Sequence, residues 1–329
     1  MTSPVRVAVL GCADIAVRRM LPAMVASADV DLVAVASRDP AKADDVARRF
    51  GCAAVHGYEA LLARDDVDAV YVPLPAALHD VWVEAALGAG KHVLAEKPLT
   101  TRHERTAQLL RLARARGLAL VENVLFVHHG QHAAVRALLR EGRIGEPRSL
   151  HAAFAVPARP DDDIRYRAAL GGGALWDVGV YPVRAALHLL GPGLDVVGAV
   201  LTCDAGREVD TSGAALLRDR AGTVAQLTFG IGHAYRSAYE LRGTEGRITV
   251  DRAFTPPADH RPVLRVENGS HVEEITLAPE DQVAAAVTAF AAAVRQGGAP
   301  STETVLDTET VLEQASLLDA IRRSAVRER

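Results

Sequence analysis

The first 123 residues alternate short runs of apolar, mostly β-branched residues with amphipathic segments of helical period. Strands and helices that alternate at this spacing predict a parallel sheet with helices on both faces. We therefore expect residues 1–123 to form a doubly wound α/β domain. The predicted strands are Arg6–Leu10, Asp31–Ala36, Ala69–Val72, His92–Leu94 and Leu118–Val121.

The pattern changes near Pro147, after which longer runs alternate apolar and polar residues, with Gly and Pro between them. This pattern is typical of an open, mainly antiparallel sheet with one face solvated or covered by a partner. We expect residues 124–329 to form an α+β domain whose last helices pack back on the first domain. The stretches that carry the pattern are Thr223–Phe229, Tyr239–Gly243 and Arg247–Asp251, and the helices are the segment after Gly171, Val283–Arg295 and Thr304–Arg323.

Composition narrows the class of protein. With 329 residues, of which 49% are hydrophobic, the chain is long and apolar enough for two domains with cores. A formal charge of −4 without a basic face argues against a nucleic-acid partner. The widely spaced Cys12, Cys52 and Cys203 suggest a reducing compartment. With no signal peptide or membrane-length apolar run, they predict a cytoplasmic protein.

The turn after the first predicted strand has the spacing of a dinucleotide-binding fingerprint. In the stretch from Val9 to Ala16, Gly11 suits a tight turn and Ala16 allows close packing of the next helix. Ala13 replaces the second glycine of the fingerprint, and its methyl group restricts how closely the backbone approaches a pyrophosphate. Because a helix N-terminus attracts phosphate, we interpret this turn as a phosphate-binding loop. A purely structural turn is the alternative.

The end of the second predicted strand indicates which nicotinamide cofactor is bound. A cofactor without a 2′-phosphate usually meets Asp or Glu here, which accepts from the ribose 2′-OH. Ser37 and Arg38 stand there instead, and a hydroxyl and a guanidinium suit a phosphate. The sequence therefore favours NADP over NAD, although Asp39, one residue on, keeps NAD open.

Three stretches carry a family resemblance. Val70–His79, Ala85–Leu99 and Gly171–Tyr181 resemble the signature of the glucose-fructose oxidoreductase / inositol dehydrogenase (Gfo/Idh/MocA) family. The resemblance covers nearly the whole chain and implies an N-terminal Rossmann domain and a C-terminal α/β domain. It further implies hydride transfer between nicotinamide and a carbohydrate carbonyl or alcohol, in a homodimer or homotetramer assembled through the C-terminal sheet.

A narrower resemblance links the chain to NADPH-dependent sugar 3-ketoreductases of deoxysugar pathways. It rests on Gly11–Ala16, Arg18–Ala23, Ser37-Arg38 and Tyr181, which replaces the histidine of inositol dehydrogenases. It implies NADP(H) as cofactor and, as substrate, a nucleotide sugar such as dTDP-3,4-diketo-2,6-dideoxyglucose, reduced at C3. With Gly11, the residues expected against the cofactor are Cys12, Ala13, Asp14, Ile15, Ser37, Arg38, Tyr58, Leu74, Pro75, His79, Glu96, Lys97, and from the second domain Arg165 and Asp177.

Lys97, Asp177 and Tyr181 are the candidate catalytic groups. Lys97 follows a strand whose carboxyl end faces the ligand crevice, and the resemblance implies a cis bond to Pro98. Asp177 and Tyr181 share a face if their segment is helical. Ketone reduction needs a hydride, a proton and stabilisation of the developing alkoxide. We assign the proton to Tyr181 and the positive charge to Lys97, which could itself be the donor, while Asp177 would hold Lys97 or a sugar hydroxyl.

The remaining predictions concern the substrate and the alternatives. Tyr235 and Thr255 are candidates for the nucleotide-sugar pocket, together with Lys97 and Tyr181. We interpret Asp161–Asp163 as a solvated loop, and we expect no metal site. A second enzyme hypothesis is oxidation of a free sugar, inositol or diol with Tyr181 as base. Because a fold does not determine function, a catalytically idle regulatory protein that senses the cofactor is a third.

Overall fold

A computed structural model describes residues 3–297 and 308–328 of the chain. The chain divides into two compact units. The first comprises the chain up to Val124 together with Val283–Val311, and the second comprises Leu125–Gln282 and Leu312–Arg329. The predicted boundary after residue 123 lies next to this division, whereas Thr304, the predicted start of the last helix, lies outside the described residues.

The first unit contains a six-stranded sheet in which every neighbouring pair is parallel. The strands are β1 (Val5–Leu10), β2 (Val30–Ser37), β3 (Ala53–His56), β4 (Ala69–Val72), β5 (His92–Glu96) and β6 (Leu120–Asn123). Their order is β3-β2-β1-β4-β5-β6, the doubly wound order in which ligands bind where the direction of winding reverses. This order confirms the predicted α/β class. Sequence analysis missed β3, a half-buried edge strand with only one β-branched residue.

Helices pack against the sheet of the first unit and largely bury its central strands. All four residues of β4 are buried. A π-helix, Ala16–Met20, leads into the first α-helix. The α-helices are α1 (Leu21–Ala26), α2 (Pro40–Phe50), α3 (Tyr58–Leu62), α4 (Ala76–Gly88) and α5 (His103–Ala115). From the later part of the chain, Arg295 returns to bond the carboxylate of Asp29 at 2.9 Å.

The second unit contains a nine-stranded sheet in the order β14-β13-β12-β11-β7-β10-β9-β8-β15. Its neighbours pair antiparallel except β7 with β10 and β8 with β15. The strands are β7 (Pro147–Val156), β8 (Asp195–Thr202), β9 (Ser212–Arg218), β10 (Val224–Ile231), β11 (Arg236–Gly243), β12 (Arg247–Asp251), β13 (Val263–Asn268), β14 (His271–Thr276) and β15 (Val326–Glu328). The other α-helices are α6 (Gly130–Arg140), α7 (Val180–Leu190), α8 (Gln282–Arg295) and α9 (Thr308–Ser324).

One face of the second sheet is open, as the alternating pattern predicts. Along β9, Ala215 and Leu217 are buried, whereas Ala214, Leu216 and Arg218 are exposed. The mainly antiparallel open sheet is thereby confirmed. None of the helices in the described ranges is both long and apolar enough to cross a bilayer.

Candidate active site

Gly11 shapes the loop between β1 and the first helix. Its φ is +115°, a conformation that L residues with a side chain rarely adopt. A Cβ atom there would lie 2.8 Å from Leu74 Cδ2 and would displace the end of that side chain. The carbonyl of Ala13 accepts the amide of Val17 at 3.1 Å, which places the start of the helix at this residue. The loop therefore leads directly into a helix N-terminus, whose free backbone N–H groups can bind a phosphate.

The side chains of Cys12 and Asp14, which follow Gly11, are engaged by neighbouring residues. Cys12 is buried and its Sγ points at the carbonyl of Ala36, and burial raises the pKa of the thiol. The exposed carboxylate of Asp14 pairs with Arg18 one turn along, and Ile15 is half-buried. The loop thus fits a pyrophosphate through its backbone N–H groups, with Cys12 and Asp14 shaping it from the side.

The end of β2 distinguishes the two nicotinamide cofactors. The carboxylate of Asp39 accepts the amides of Ala41 at 3.0 Å and Lys42 at 3.4 Å and so caps α2. Because this carboxylate serves the helix, it is a poor partner for a ribose 2′-OH. Ser37 accepts the amide of Asp39 at 3.1 Å, which orients the hydroxyl, while Arg38 is exposed. The arrangement fits a 2′-phosphate, and it weakens the NAD alternative that Asp39 had kept open.

Arg38 also has an aromatic neighbour. Its guanidinium lies near the hydroxyl of Tyr58, whose pKa burial raises and Arg38 lowers in part. The Tyr58 ring packs edge-on against Trp82, with the ring centroids 4.8 Å apart. Tyr58 is the first residue of α3, so it both begins a helix and stands beside the guanidinium.

Replacing Arg38 by alanine is expected to raise the Michaelis constant for NADPH at least tenfold, because a charge-assisted bond to a phosphate contributes about 1.5–3 kcal/mol. The constant for NADH should change less than about threefold, since no 2′-phosphate is lost from the contact. Initial rates with each cofactor at saturating substrate measure both values. Equal effects on the two cofactors would refute the assignment.

His79 joins two turns at the carboxyl edge of the first sheet. Its side chain is 1% exposed, with Nδ1 2.9 Å from the carbonyl of Pro98 and Nε2 2.7 Å from that of Leu74. Burial lowers the pKa of the imidazole. Pro75 caps α4 from the same turn as Leu74, whose side chain lies against Gly11. The neutral imidazole donates to one of these carbonyls and lies against the other, so it packs between the Leu74-Pro75 turn and the turn after β5. We expect it to affect the cofactor by positioning these two backbones.

Glu96 ends β5 and is held by two buried side chains that sequence reasoning did not single out. Its Oε1 accepts the hydroxyl of Tyr71 at 2.8 Å and the amide of Asn123 at 2.7 Å. Glu122 accepts the backbone amide of Leu99 at 2.8 Å. The ends of three neighbouring strands thus meet at this edge. The sequence did contain a signal for this cluster, because β6 begins with apolar residues and ends with the polar pair Glu122 and Asn123.

Lys97 stands between this cluster and a cis peptide bond. The Lys97-Pro98 bond is the cis bond among the described residues, as the family resemblance implied. Glu96 on one side and the Pro98 carbonyl, held by His79, on the other determine where the backbone of Lys97 lies. The turn is therefore defined on both sides of the lysine.

In the second unit, Arg165 and Asp177 form an ion pair, with Nε and Oδ2 2.8 Å apart. Arg165 is also bonded by Asp163, whose carboxylate accepts its backbone amide at 2.9 Å and its Nη1 at 3.1 Å. Burial works to lower the pKa of the guanidinium, but the two carboxylates raise it overall. The prediction that residues 161–163 form a solvated loop is wrong for Asp163, because this carboxylate is engaged by Arg165.

Asp177 and Tyr181 lie on one continuous helical segment, but its first turns are not α-helical. Leu175–Gly179 is a π-helix that continues into α7. Single π turns occur frequently at functional sites. The Tyr181 ring packs against Phe154 with a centroid distance of 4.7 Å and against Phe254 at 5.8 Å. These rings hold the plane of the phenol and therefore the direction of its hydroxyl.

Tyr235 and Thr255 lie together, as two residues of one pocket would. Their hydroxyl oxygens are 3.0 Å apart, and the Tyr235 side chain is 45% exposed. Thr255 follows a turn in which Arg252 has a φ of +49° and in which Ser237 accepts the amide of Phe254 at 2.9 Å. The structure thus brings these two candidate substrate residues together.

Comparison with known protein families gives two adjoining matches. Residues 5–124 match the model described as the oxidoreductase family with an NAD-binding Rossmann fold. Residues 132–249 match the GFO/IDH/MocA C-terminal domain. A dTDP-3,4-didehydro-2,6-dideoxy-alpha-D-glucose 3-reductase of Streptomyces violaceoruber is 57% identical over 97% of this chain and 95% of its own. The chain belongs to the Gfo/Idh/MocA family. The predicted family is thereby confirmed.

Other members of this family extend the likeness to solved structures. The enzyme of the same description from Saccharopolyspora spinosa is 56% identical over 98% of this chain and 97% of its own. KijD10, a 3-ketoreductase from Actinomadura kijaniata solved with NADP and TDP-benzene, superposes with a TM-score of 0.95 at 52% identity, covering 99% of both chains. Variants of KijD10 and an open conformation are among its structures. By their names, the two curated relatives are 3-reductases of a dTDP-linked sugar, and KijD10 is a 3-ketoreductase that binds NADP.

Proposed function

We propose that this protein is an NADPH-dependent reductase of the C3 ketone of a dTDP-linked keto-deoxysugar. The observation that carries the proposal is the 57% identity, over 97% of the chain, with a 3-reductase of dTDP-3,4-didehydro-2,6-dideoxyglucose. The end of β2 supports the choice of NADPH, because Ser37 and Arg38 suit a phosphate and Asp39 caps a helix.

The reaction needs three contributions, of which the chain supplies two. NADPH, when bound, supplies the hydride. Lys97 provides positive charge that polarises the ketone and stabilises the oxygen as negative charge develops on it. Tyr181 donates the proton that converts this oxygen to the alcohol. Asp177 orients a sugar hydroxyl or the ammonium, and the products are the hydroxy sugar and NADP⁺.

Each part of the bound cofactor has proposed partners among the predicted residues. We assign the pyrophosphate to the Gly11–Ile15 loop, the 2′-phosphate to Ser37 and Arg38, and the adjoining walls to Tyr58, Leu74 and Pro75. His79 and Glu96 fix the turns beside the nicotinamide, and Arg165 and Asp177 complete the binding set. Tyr235 and Thr255, whose hydroxyls are 3.0 Å apart, bind the nucleotide-sugar end of the substrate.

NADPH consumption against a panel of dTDP-linked keto sugars and free polyols tests the proposed function. We expect turnover with a dTDP-linked 3-keto sugar, and the product stereochemistry at C3 follows by NMR. Oxidation of the polyols alone, with NADP⁺, would overturn the proposed substrate class. Tight NADPH binding without turnover on any member of the panel would instead favour the cofactor sensor.

A free-sugar dehydrogenase is the second candidate. D-xylose 1-dehydrogenase (NADP(+)) 2 of Haloferax volcanii is 35% identical over 96% of this chain and 96% of its own. In that direction Tyr181 would act as base rather than acid. The same panel separates the two candidates, because only the first uses a nucleotide-linked substrate.

We further propose that two copies associate through the open face of the second sheet, as a homodimer or as part of a homotetramer. Across β8, β9, β10 and β7, the residues Val200, Ala214, Thr228 and Ala153 stand side by side and form a smooth face of small side chains. Leu216 on the same face is 37% exposed. Ion pairs among Arg247, Glu267 and Arg265 occupy the other half of the sheet. A second copy would cover the apolar half.

Replacing Leu216 by arginine is expected to shift the protein to monomer, because a buried unpaired charge costs several kcal/mol at an interface. Light scattering after size exclusion measures the mass. Val25→Arg, at a position 55% exposed in the first unit, is the matched control and should leave the mass unchanged. An assembled Leu216→Arg protein would contradict this interface. We place the enzyme in the cytoplasm, where NADPH and nucleotide sugars are available.

A further inference from the structure

The Arg165–Asp177 pair joins two ends of a stretch whose first part, residues 164–170, has little apolar packing of its own. The two short 3-10 turns in it, Ile164–Tyr166 and Ala168–Leu170, contain no buried residue. Ile164 is 46% exposed. Burial of apolar surface therefore does little to hold Arg165 in place, and its position depends on polar contacts.

Gly172 and Gly173 fold the stretch back on itself. The amide of Gly172 donates to the carbonyl of Arg167 at 3.0 Å, and that of Gly173 donates to the carbonyl of Arg165 at 2.9 Å. A Cβ atom on Gly172 would lie 2.5 Å from the Arg165 carbonyl oxygen. The glycines thus let the backbone of Arg165 lie directly against the segment that leads to Asp177.

The loop between β8 and β9, residues 203–211, contacts the stretch first through Asp210. Its Oδ2 accepts the amide of Leu175 and its carbonyl accepts that of Ala174, both at 2.7 Å. A Cβ atom on Gly173 would lie 2.7 Å from Asp210 Oδ1, so the glycine admits this carboxylate. Asp210 therefore satisfies two backbone donors at the start of the helical segment that carries Asp177.

Arg207 of the 203–211 loop makes the second contact, on the other side of Arg165. Its guanidinium carbon lies 3.8 Å from the centroid of the Tyr166 ring, in cation–π geometry. The same guanidinium pairs with the carboxylate of Asp161 and donates to its carbonyl at 3.4 Å. The Tyr166 hydroxyl accepts the amide of Arg159 at 3.2 Å. Arg207 thus ties together the residues immediately around Arg165.

The 203–211 loop is itself tied to the sheet. The amide of Thr211 donates to the carbonyl of Thr202 at 2.8 Å, and the carbonyl of Thr211 accepts the amide of Ile231 at 2.7 Å. Thr211 is 2% exposed, and its hydroxyl accepts the amide of Asp204 at 3.2 Å. A loop anchored in this way offers Arg207 and Asp210 from a fixed position.

We propose that Arg207 and Asp210 are positioning residues, which hold Arg165 and Asp177 in the geometry in which these two meet the cofactor. The inference rests on the proposed function only in that it takes Arg165 and Asp177 as cofactor-binding residues. Arg207 acts through the Tyr166 ring and Asp161, and Asp210 acts through the amides of Ala174 and Leu175.

A double-substitution cycle on the full chain tests this, with the NADPH dissociation constant from fluorescence titration as readout. We expect Arg165→Ala and Arg207→Ala each to weaken NADPH binding about tenfold. The double variant should be no weaker than Arg165→Ala alone, because residues that act as one unit are not additive. Asp210→Ala should weaken NADPH binding about tenfold, and Asp210→Asn, which keeps an acceptor oxygen for Leu175, should recover most of the loss.

Arg148→Ala is the matched control, since it removes an exposed ion pair with Glu146 in the same unit, and it should leave NADPH binding unchanged. The inference would be overturned if the two single losses of NADPH affinity multiplied in the double variant. Unchanged NADPH affinity in either Arg165→Ala or Arg207→Ala would overturn it as well. Equal loss of NADPH affinity in Asp210→Asn and Asp210→Ala would also overturn it for Asp210. A wild-type protein that binds NADPH but reduces none of the keto sugars would refute the proposed function alone, because the binding cycle does not depend on substrate.

Discussion

Replacing Lys97 by methionine is expected to slow hydride transfer about a thousandfold, since removal of one donor to a developing oxyanion costs 10²–10³ in kcat. Methionine retains the length and apolar stem of lysine but removes the charge. The Pro98 carbonyl and Glu96 are held by other residues, so the fold of the turn should persist. Single-turnover oxidation of bound NADPH, mixed with saturating keto sugar, measures the rate without product release.

Lys97→Arg distinguishes charge from proton donation at this position. Arginine keeps the positive charge but does not release a proton at neutral pH. If Lys97 acts through charge, the arginine variant should retain distinctly more activity than the methionine variant. If Lys97 itself donates the proton, both variants should be equally slow. Lys97 is one of three lysines in a chain whose Lys and Arg total 37, so lysine is the less common choice here.

Lys42→Met is the matched control for Lys97→Met. Lys42 is exposed in the first turn of α2 and has no place in the proposed chemistry. Its single-turnover rate at saturating NADPH should equal that of the wild type. A Lys97→Met protein with a normal single-turnover rate would contradict any catalytic role for the ammonium.

Tyr181→Phe is expected to lower the single-turnover rate about a hundredfold, because general acid catalysis by a positioned side chain contributes 10²–10⁴. Phenylalanine keeps the ring that packs against Phe154 and Phe254, so the aromatic cluster should remain intact. The wild type should also show a solvent isotope effect on this step, and the variant a smaller one. NADPH affinity should change little.

Tyr239→Phe removes a phenolic hydroxyl of the same unit that has a structural role. This hydroxyl lies 2.9 Å from Nδ1 of the buried His132, whose pKa burial lowers to about 3. The control should lose stability, because it leaves a buried nitrogen without its partner, and keep its rate of hydride transfer. A nearly normal rate in Tyr181→Phe would identify Lys97 as the proton donor. The single-turnover rates of Lys97→Arg and Lys97→Met should then be equally low.

Much of the fold is predictable from the chain because its cores leave periodic patterns. The parallel sheet of the first unit is largely buried, so residues 7–10 of β1, 32–36 of β2 and all of β4 appear as continuous apolar runs. The edge strand β3 leaves a weaker pattern, since half of its residues are exposed. The π-helix Leu175–Gly179 was not predictable, because π and α turns require the same kinds of residue and differ only in hydrogen-bond register.

The candidate site divides in the same way. Gly11, Ser37-Arg38 and Glu96-Lys97-Pro98 are neighbours in sequence at strand ends, where local order predicts their place. Tyr71 and Asn123 belong to other strands, and only pairing of β4 and β6 with β5 brings them to Glu96. Asp39 shows the reverse case, since its position alone allowed NAD and its bonds to Ala41 and Lys42 assign it to a helix cap.

By itself, the sequence determined the fold class, and it predicted the phosphate loop and the groups that can carry charge and protons, because these depend on residue type and short spacings. The tertiary structure decided which side chains hold them. Asp163 and Asp177 on Arg165, His79 between the Leu74 and Pro98 carbonyls, and Asp210 at Leu175 are contacts between residues 2 to 35 positions apart. Most of these contacts join different turns and loops. The Asp163 contact to Arg165 and the Leu74 contact to His79 are local. No local pattern encodes the others, which span 12 to 35 positions, because they form only once the fold has brought separate turns together.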